Sequence, residues 1–356
     1  MMDAIVVEHD DPHPHLIELS EPTPSDGEAL VRTLRVGIDG TDFEVIGGSH
    51  GGFPAGDDYH VLGHEAVGVV EDPNGTALEA GQVVVPTVRR PPAGSNEFFE
   101  RGEPDMAPPE LCLERGIDGA HGYMAEYFTS PAEYLVPIPD AFADSGVLVE
   151  PMSNAEKALD LAYASRSSFA WEPTASLVLG NGPLGLLTLA LLEERPEIDR
   201  TYCLGRRDRP DPTIDVIERL GATYIDSRET PVAQVADAHE PMDVIVEATG
   251  YAKHAFETID ALAPNGVGAL LGIPDDWSFE INGGRLHSEF VLNNKALVGS
   301  VNSHLEDFEA AKETLEAAPD WFAEALITDV FSPDEVEDAF TRDASRIKTV
   351  IEFDAL

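Results

Sequence analysis

The chain has 356 residues, 43% of them hydrophobic and 25% charged, a length that asks for two domains rather than one core. Asp and Glu number 67 against 22 Lys and Arg, a formal net charge of −45 spread along the whole chain. A charge of this sign and size repels nucleic acid and anionic membranes, and no apolar run reaches the ~20 residues that span a bilayer.

Self-repulsion on this scale weakens a compact fold at low ionic strength. Concentrated salt relieves it, because the Debye length falls to ~3 Å at 1 M. The chain therefore reads as a cytoplasmic protein adapted to high salt. Its acidic first residues, MMDAIVVEHDD, lack the basic and apolar regions of a signal peptide. Two cysteines, Cys112 and Cys203, give no disulfide framework.

Taken in order, residues 1–150 are β-rich. Short strand-like runs at 4–7, 29–36, 66–70 and 82–86 are separated by Gly, Pro and Asp. Residues 91–118 are rich in Pro, Gly and acid and read as a long loop. The spacing of apolar residues predicts a helix over 149–163. Strands at 177–179, 201–204, 243–247, 268–271 and 296–298 then alternate with helices at 213–220 and 251–262, the pattern of a doubly wound parallel sheet. A helix at 305–317 and a last strand at 349–353 return toward the first domain.

The motif with most chemistry follows the strand at 177–179. Gly180-Asn181-Gly182-Pro183-Leu184-Gly185 is a G-x-G-x-x-G between a strand and a helix. In that context the first glycine makes the turn, the second admits a pyrophosphate to the backbone, and the third lets helix and strand pack closely. The free N–H groups and the helix dipole face the anion. After the next strand comes Gly205-Arg206-Arg207-Asp208-Arg209, where a site preferring NAD places an acid for the ribose 2′-OH. Guanidinium suits the 2′-phosphate of NADP. NADP is favoured, with NAD at lower affinity. The competing reading is a surface cluster paired with Asp208 and Asp211.

Gly63-His64-Glu65-x-x-Gly68, with Gly37-Ile38-Asp39-Gly40-Thr41-Asp42 upstream and Glu150-Pro151 downstream, resembles the zinc-dependent medium-chain alcohol dehydrogenase superfamily. The likeness runs in order over essentially the whole chain. It is closer to the archaeal glucose dehydrogenases of that superfamily. That closer likeness rests on Asp39-Gly40-Thr41-Asp42, Glu114-Arg115-Gly116-Ile117 with His121-Gly122-Tyr123-Met124-Ala125-Glu126-Tyr127, Glu150-Pro151 and Ser300-Val301-Asn302.

The resemblance implies an α/β protein with a GroES-like β-rich catalytic domain over 1–153 and 300–356. A Rossmann domain with a doubly wound parallel sheet would occupy 154–299. It implies one catalytic zinc on Asp39, His64 and Glu150, with Glu65 binding directly or through water. The first ligand of relatives is usually cysteine; Asp39 keeps the charge and hardens the site. Only Cys112 falls in the stretch where many relatives carry a structural zinc, so no structural zinc is expected. Thr41 would begin a proton relay that Glu44 ends, with Glu65 beside the metal. Thr41, Glu114, Glu150, Asn154 and Asn302 would meet the substrate. Gly180, Asn181, Gly182, Pro183, Leu184, Gly185, Gly205, Arg206, Arg207, Thr249, Gly272, Ile273, Ser300, Val301 and Asn302 would hold the cofactor. The implied reaction oxidises β-D-glucose at C1 to the lactone with hydride passing to NADP⁺. A zinc-dependent polyol or secondary alcohol dehydrogenase is the alternative, and a nucleotide-binding protein without turnover is a further one. The expected partners are a small sugar and further copies of the chain, as dimer or tetramer.

Overall fold

The structure is a computed structural model that describes residues 1–356. It divides into two compact units. The first comprises Met1–Ser153, Asn302–Leu315 and Asp320–Leu356; the second comprises Asn154–Val301 and Glu316–Pro319.

The first unit opens with strands β1 (Met2–Glu8), β2 (His15–Leu19), β3 (Glu28–Ile38), β4 (Tyr59–Val61), β5 (Glu65–Asp72) and β6 (Val83–Pro86). It continues with β7 (Arg89–Arg90), β8 (Leu113–Arg115), β9 (Gly119–Ala120), β10 (Tyr127–Pro131) and β11 (Leu135–Pro137). The second unit contributes β12 (Ala175–Leu179), β13 (Arg200–Gly205), β14 (Thr223–Asp226), β15 (Met242–Glu247), β16 (Leu262–Leu270) and β17 (Ala296–Gly299). The chain then returns to the first unit with β18 (Ile327–Phe331) and β19 (Lys348–Glu352).

The main sheet of the first unit runs β11-β6-β5-β3-β19-β18, with β10 also paired to β3. Its strands are Val-rich and almost continuously buried, as strands covered on both faces are. Ile5, Val31, Val36, Leu62, Val70, Met124, Phe128 and Ile351 belong to one core. The centre of this sheet positions the titratable groups of the first unit. Gly37 of β3 lies opposite Glu65 of β5 and also opposite Val350 of β19. The end of β3, the start of β5 and the start of β19 therefore meet in the middle of the sheet, at one end of its strands.

The second unit holds six parallel strands in the order β14-β13-β12-β15-β16-β17. Counted within the unit this is 3-2-1-4-5-6, the doubly wound order with its switch point beside the first strand. The central β12 is buried along its whole length. Helices Pro183–Glu193, Pro212–Leu220 and Ala252–Ala261 lie between successive strands.

Residues 91–118 differ from the expected featureless loop. A short helix, Glu97–Glu100, is capped by the Asn96 side chain, and β8 joins β7 and β9, which border the stretch, in a small sheet of their own. Elements of two to four residues carry no readable period. They are fixed by contacts made at a distance, such as the Arg89 guanidinium bonding the carbonyls of Asp105 and Ala107. No helix is long and apolar enough to cross a membrane.

The net charge of −45 sets an expectation for stability. The thermal midpoint rises between low and molar KCl, because surface repulsion is screened. The melt is run at fixed metal and nucleotide, since each also shifts the midpoint. A flat or falling midpoint contradicts the expectation.

Candidate active site

The strand ends where β3, β5 and β19 meet gather the titratable groups. Asp39 follows β3 directly and caps the helix Gly40–Ile46. Its carboxylate accepts from the Asp42 N–H at 3.1 Å, and the Asp42 carboxylate accepts from the Asp39 N–H at 3.0 Å. This capping box fixes the Asp39 backbone. The Thr41 hydroxyl donates to Asp39 Oδ2 at 3.1 Å. His64 precedes β5 and Glu65 opens it, both buried.

Ligand atoms of Asp39, His64 and Glu65 lie within 4.8 Å of one another. His64 Nε2 stands 3.7 Å from Asp39 Oδ2. That is too long for a hydrogen bond, and it suits two ligands each ~2.0–2.2 Å from a shared ion. His64 Nδ1 is buried without a partner. Burial alone would push the His64 pKa down. Asp39, Glu150, Asp42 and Glu65 outweigh burial and hold it at about 9. Burial, helped by the neighbouring Asp39 charge, lifts Asp42 to about 7. The same carboxylates that hold a proton on His64 would hold a divalent cation in its place, with the imidazole giving up that proton to become a ligand.

Lys348 was not legible as a site residue. It starts β19, is essentially unexposed, and ion-pairs with Glu65. Burial works against its charge, but Glu65 and then Asp39 overcome burial and raise its pKa. Gly37 makes the pair possible: a Cβ there would overlap the Glu65 carboxylate and sit 2.8 Å from Lys348 Cε. The only signal in the sequence was a lysine beside the apolar run Thr349-Val350-Ile351 in a chain poor in bases.

Glu150 is buried in the first turn of the helix Val149–Ala164, with Asn154 one turn later on the same helix. Glu150 lies outside the three-residue cluster, though its charge is felt by His64. Glu44 is half-buried in the helix Gly40–Ile46, three residues after Thr41. Glu114 and Asn302 come together: Asn302 Nδ2 donates to Glu114 Oε1 at 3.3 Å. Arg89 joins them through Nε at 2.9 Å. A cavity of about 400 Å³ opens beside Arg89, Tyr134, Ser303 and His304. None of Asp39, His64 and Glu65 lines it.

In the second unit the glycine turn has the expected parts. Gly180 takes a φ of 113°, and a Cβ there would press on Thr249 and Ala248. A Cβ at Gly182, which caps the helix Pro183–Glu193, would meet open space, leaving the helix N-terminus accessible. A Cβ at Gly185 would strike the Gly180 carbonyl, so helix and strand touch there. Asn181 lies over Gly205 and donates to Thr213 Oγ1 at 2.6 Å. Thr249 is held by Glu247, with its N–H donating at 2.7 Å. Gly272 abuts Gly250, Ile273 and Val301 are exposed, and Ser300 Oγ is buried without a partner.

The arginines after β13 divide their tasks. Arg206 is exposed and makes no ion pair, whereas Arg207 stands 3.9 Å from Asp211. Arg209 is taken by Glu218, and Asp208 by Arg228. The Tyr224 hydroxyl accepts from the Arg207 N–H at 2.8 Å and donates to the Arg207 carbonyl at 3.0 Å. That clamp was invisible in the sequence, since Tyr224 lies on the neighbouring strand β14.

Two family models cover the chain: the alcohol dehydrogenase GroES-like domain at residues 25–140 and the glucose dehydrogenase C-terminus at 143–353. The glucose 1-dehydrogenase of Haloarcula marismortui is 61% identical over 356 residues, covering all of both chains. That of Haloferax mediterranei is 62% identical over 354 residues, 99% of each. The solved Haloferax mediterranei glucose dehydrogenase in complex with NADP, Zn and gluconolactone matches with a TM-score of 0.97, at 62% identity over the full length of both chains. A 2R,3R-butanediol dehydrogenase of Bacillus subtilis, at 22% identity and a TM-score of 0.80, shares the fold. Both expected folds are therefore present in one chain, and identity of this extent over the whole length places it in the glucose 1-dehydrogenase family of GroES-like, Rossmann-type dehydrogenases.

Proposed function

We propose that the chain oxidises β-D-glucose at C1 to gluconolactone, with NADP⁺ as hydride acceptor and one zinc at the active site. The observation that carries this reading is the full-length likeness to the Haloferax enzyme bound to NADP, Zn and gluconolactone. It is supported by a cluster at Asp39, His64 and Glu65 fit for such an ion. When bound, the metal supplies a Lewis acid to a substrate oxygen and the dinucleotide supplies the hydride acceptor.

The chain's own residues do the rest. We assign Asp39, His64 and Glu150 to the metal, with Glu65 at hand and neutralised by Lys348. Two of the three ligands are carboxylates, so they balance a dication while Glu65 and Lys348 balance each other. Thr41, whose hydroxyl donates to Asp39, relays the proton released by the sugar: Oγ1 accepts it as the hydroxyl turns from Asp39 and releases its own proton toward Glu44, which ends the path. Glu114, Glu150, Asn154 and Asn302 orient the sugar, because polar partners left unpaired by a wrong substrate carry the discrimination. Residues 1–153 and 300–356 form the catalytic domain and 154–299 the cofactor domain. The glycine turn, Gly205, Thr249, Gly272, Ile273 and Ser300 to Asn302 line the dinucleotide.

Arg206 and Arg207 meet the 2′-phosphate. The test is a steady-state assay of glucose, galactose, xylose, sorbitol and butanol with each cofactor, in wild type and in a variant with both arginines changed to alanine. Wild type prefers glucose and NADP⁺. The variant binds NADP⁺ about 10- to 100-fold less tightly, because a charge-assisted pair is lost, and keeps NAD⁺ within about threefold. Preference for sorbitol or butanol overturns the substrate, and equal loss of both cofactors overturns the arginine assignment.

We further propose a cytoplasmic homo-oligomer, dimer or tetramer. Val291 and Leu292 are exposed at 62% and 76% on the helix Gly283–Asn293, which leads into β17, an edge strand of the second unit's sheet, and unpaired edges and exposed apolar side chains invite a partner. A solution mass of 38.4 kDa, that of one chain, overturns the oligomer.

A further inference from the structure

This inference rests on the assignment of Glu114 to the sugar and deepens it. Arg89 and Glu114 face each other across the β7–β8 pair. Arg89 Nε and Asn302 Nδ2 both donate to Glu114 Oε1, at 2.9 and 3.3 Å. One carboxylate oxygen is thereby taken twice, and Oε2 is left to accept from a ligand. A carboxylate accepts from hydroxyl donors, which is what an aldose offers.

The guanidinium that ties Oε1 is itself tied. Arg89 Nη1 donates to the carbonyls of Pro104, Asp105 and Ala107 at 3.2, 2.8 and 3.3 Å. Arg89 is 9% exposed. A guanidinium is planar, so two hydrogens of one nitrogen shared among three carbonyls also set the direction in which Nε points. Without that donor only the longer Asn302 bond, at 3.3 Å, holds the Glu114 carboxylate against rotation about its broad terminal torsion. The neighbouring arginine does not share the task. Arg90 spends its two terminal nitrogens on Thr87, Arg89, Tyr123 and Ser130 within the same unit.

We propose that Arg89 is a positioning residue which, by fixing one oxygen of Glu114, sets the aldose hydroxyl that the other oxygen accepts and so governs discrimination among aldose epimers and deoxy-sugars. Arg89 acts through Glu114 and touches neither the reacting carbon nor the cofactor. Its removal is felt in KM and in sugar preference, with kcat for glucose nearly kept.

The test compares Glu114→Gln, Arg89→Met, Arg89→Lys and the double variant Arg89→Met/Glu114→Gln on the full-length enzyme. Substrates are glucose, its epimers and the monodeoxyglucoses. NADP⁺ affinity, unchanged in each, shows that the chain is folded. Arg89→Met raises KM for glucose about 10- to 100-fold, the effect of a hydrogen bond to a charged group, and changes kcat less than about threefold. It also flattens the same deoxy-sugar discrimination that Glu114→Gln flattens. The double variant is no worse than either single one, because both act on one contact. Arg89→Lys keeps the charge without the fork and falls between, which holds the test open if Arg89→Met does not fold. Effects of the two single variants that multiply in the double variant overturn the proposal. So does a fall in kcat at unchanged KM, or a wild-type KM in Arg89→Met beside an impaired Glu114→Gln. An unchanged KM for every sugar in Glu114→Gln instead overturns the assignment of Glu114, and the inference with it.

Discussion

His64→Ala is expected to lower glucose turnover by about 1000-fold or more while leaving NADP⁺ affinity within about twofold. The magnitude reflects the loss of a Lewis acid worth several kcal/mol to the reaction. The asymmetry arises because the glycine turn at Gly180–Gly185 belongs to the second unit and His64 to the first. Chelation of wild type gives the same result and is reversed by added zinc. Asp39→Cys keeps activity and holds zinc more tightly against the chelator, because thiolate is the softer ligand. The measurement is a chelator titration of wild type and both variants, with bound metal, nucleotide affinity and glucose oxidation read at each step. Full activity in metal-free enzyme defeats the metal's role, and an active zinc-free His64→Ala defeats the ligand assignment.

Lys348→Met is expected to destabilise the first unit by about 3–5 kcal/mol, the usual loss when one partner of a buried ion pair is removed. The pair is as buried as any in the chain: Lys348 is 0% and Glu65 2% exposed at the side chain. Methionine fills much the same volume, so the loss reports the stranded Glu65 charge rather than a cavity. The apparent thermal midpoint of the metal-free protein falls on the order of 10 °C. Adding Glu65→Gln restores part of the loss, since a neutral amide is cheaper to bury than a lone carboxylate. Scanning calorimetry of wild type, the single variant and the double variant decides it. A midpoint unchanged in Lys348→Met shows that the pair contributes nothing to stability, and a double variant less stable than the single one shows that Glu65 was not the group left stranded.

The sequence alone determined the parts whose physics is local or periodic. Alternating apolar runs and helical spacing placed the strands of the second unit's sheet closely, apart from β14, which was not expected, and β16, which begins at Leu262 well before the expected 268, because each buried run must be long enough to cross that sheet. The glycine turn was legible because each glycine answers a steric demand made by its near neighbours, as Gly180 and Gly185 do on each other. The metal cluster was legible only through resemblance. Asp39, His64 and Glu65 are ordinary residues singly, and their spacing along the chain says nothing of the 4.8 Å that encloses them.

The tertiary structure decided everything that depends on strands far apart in sequence. Lys348 reaches Glu65 from 283 residues away because β19 pairs with β3 next to β5. Arg89 holds Glu114 because β7 and β8 pair across a stretch without periodicity, and Tyr224 clamps Arg207 because β14 lies beside β13. In each case the partner is chosen by sheet register, and register is set by burying whole apolar faces. That is a property of the assembled core, and no local run of residues expresses it.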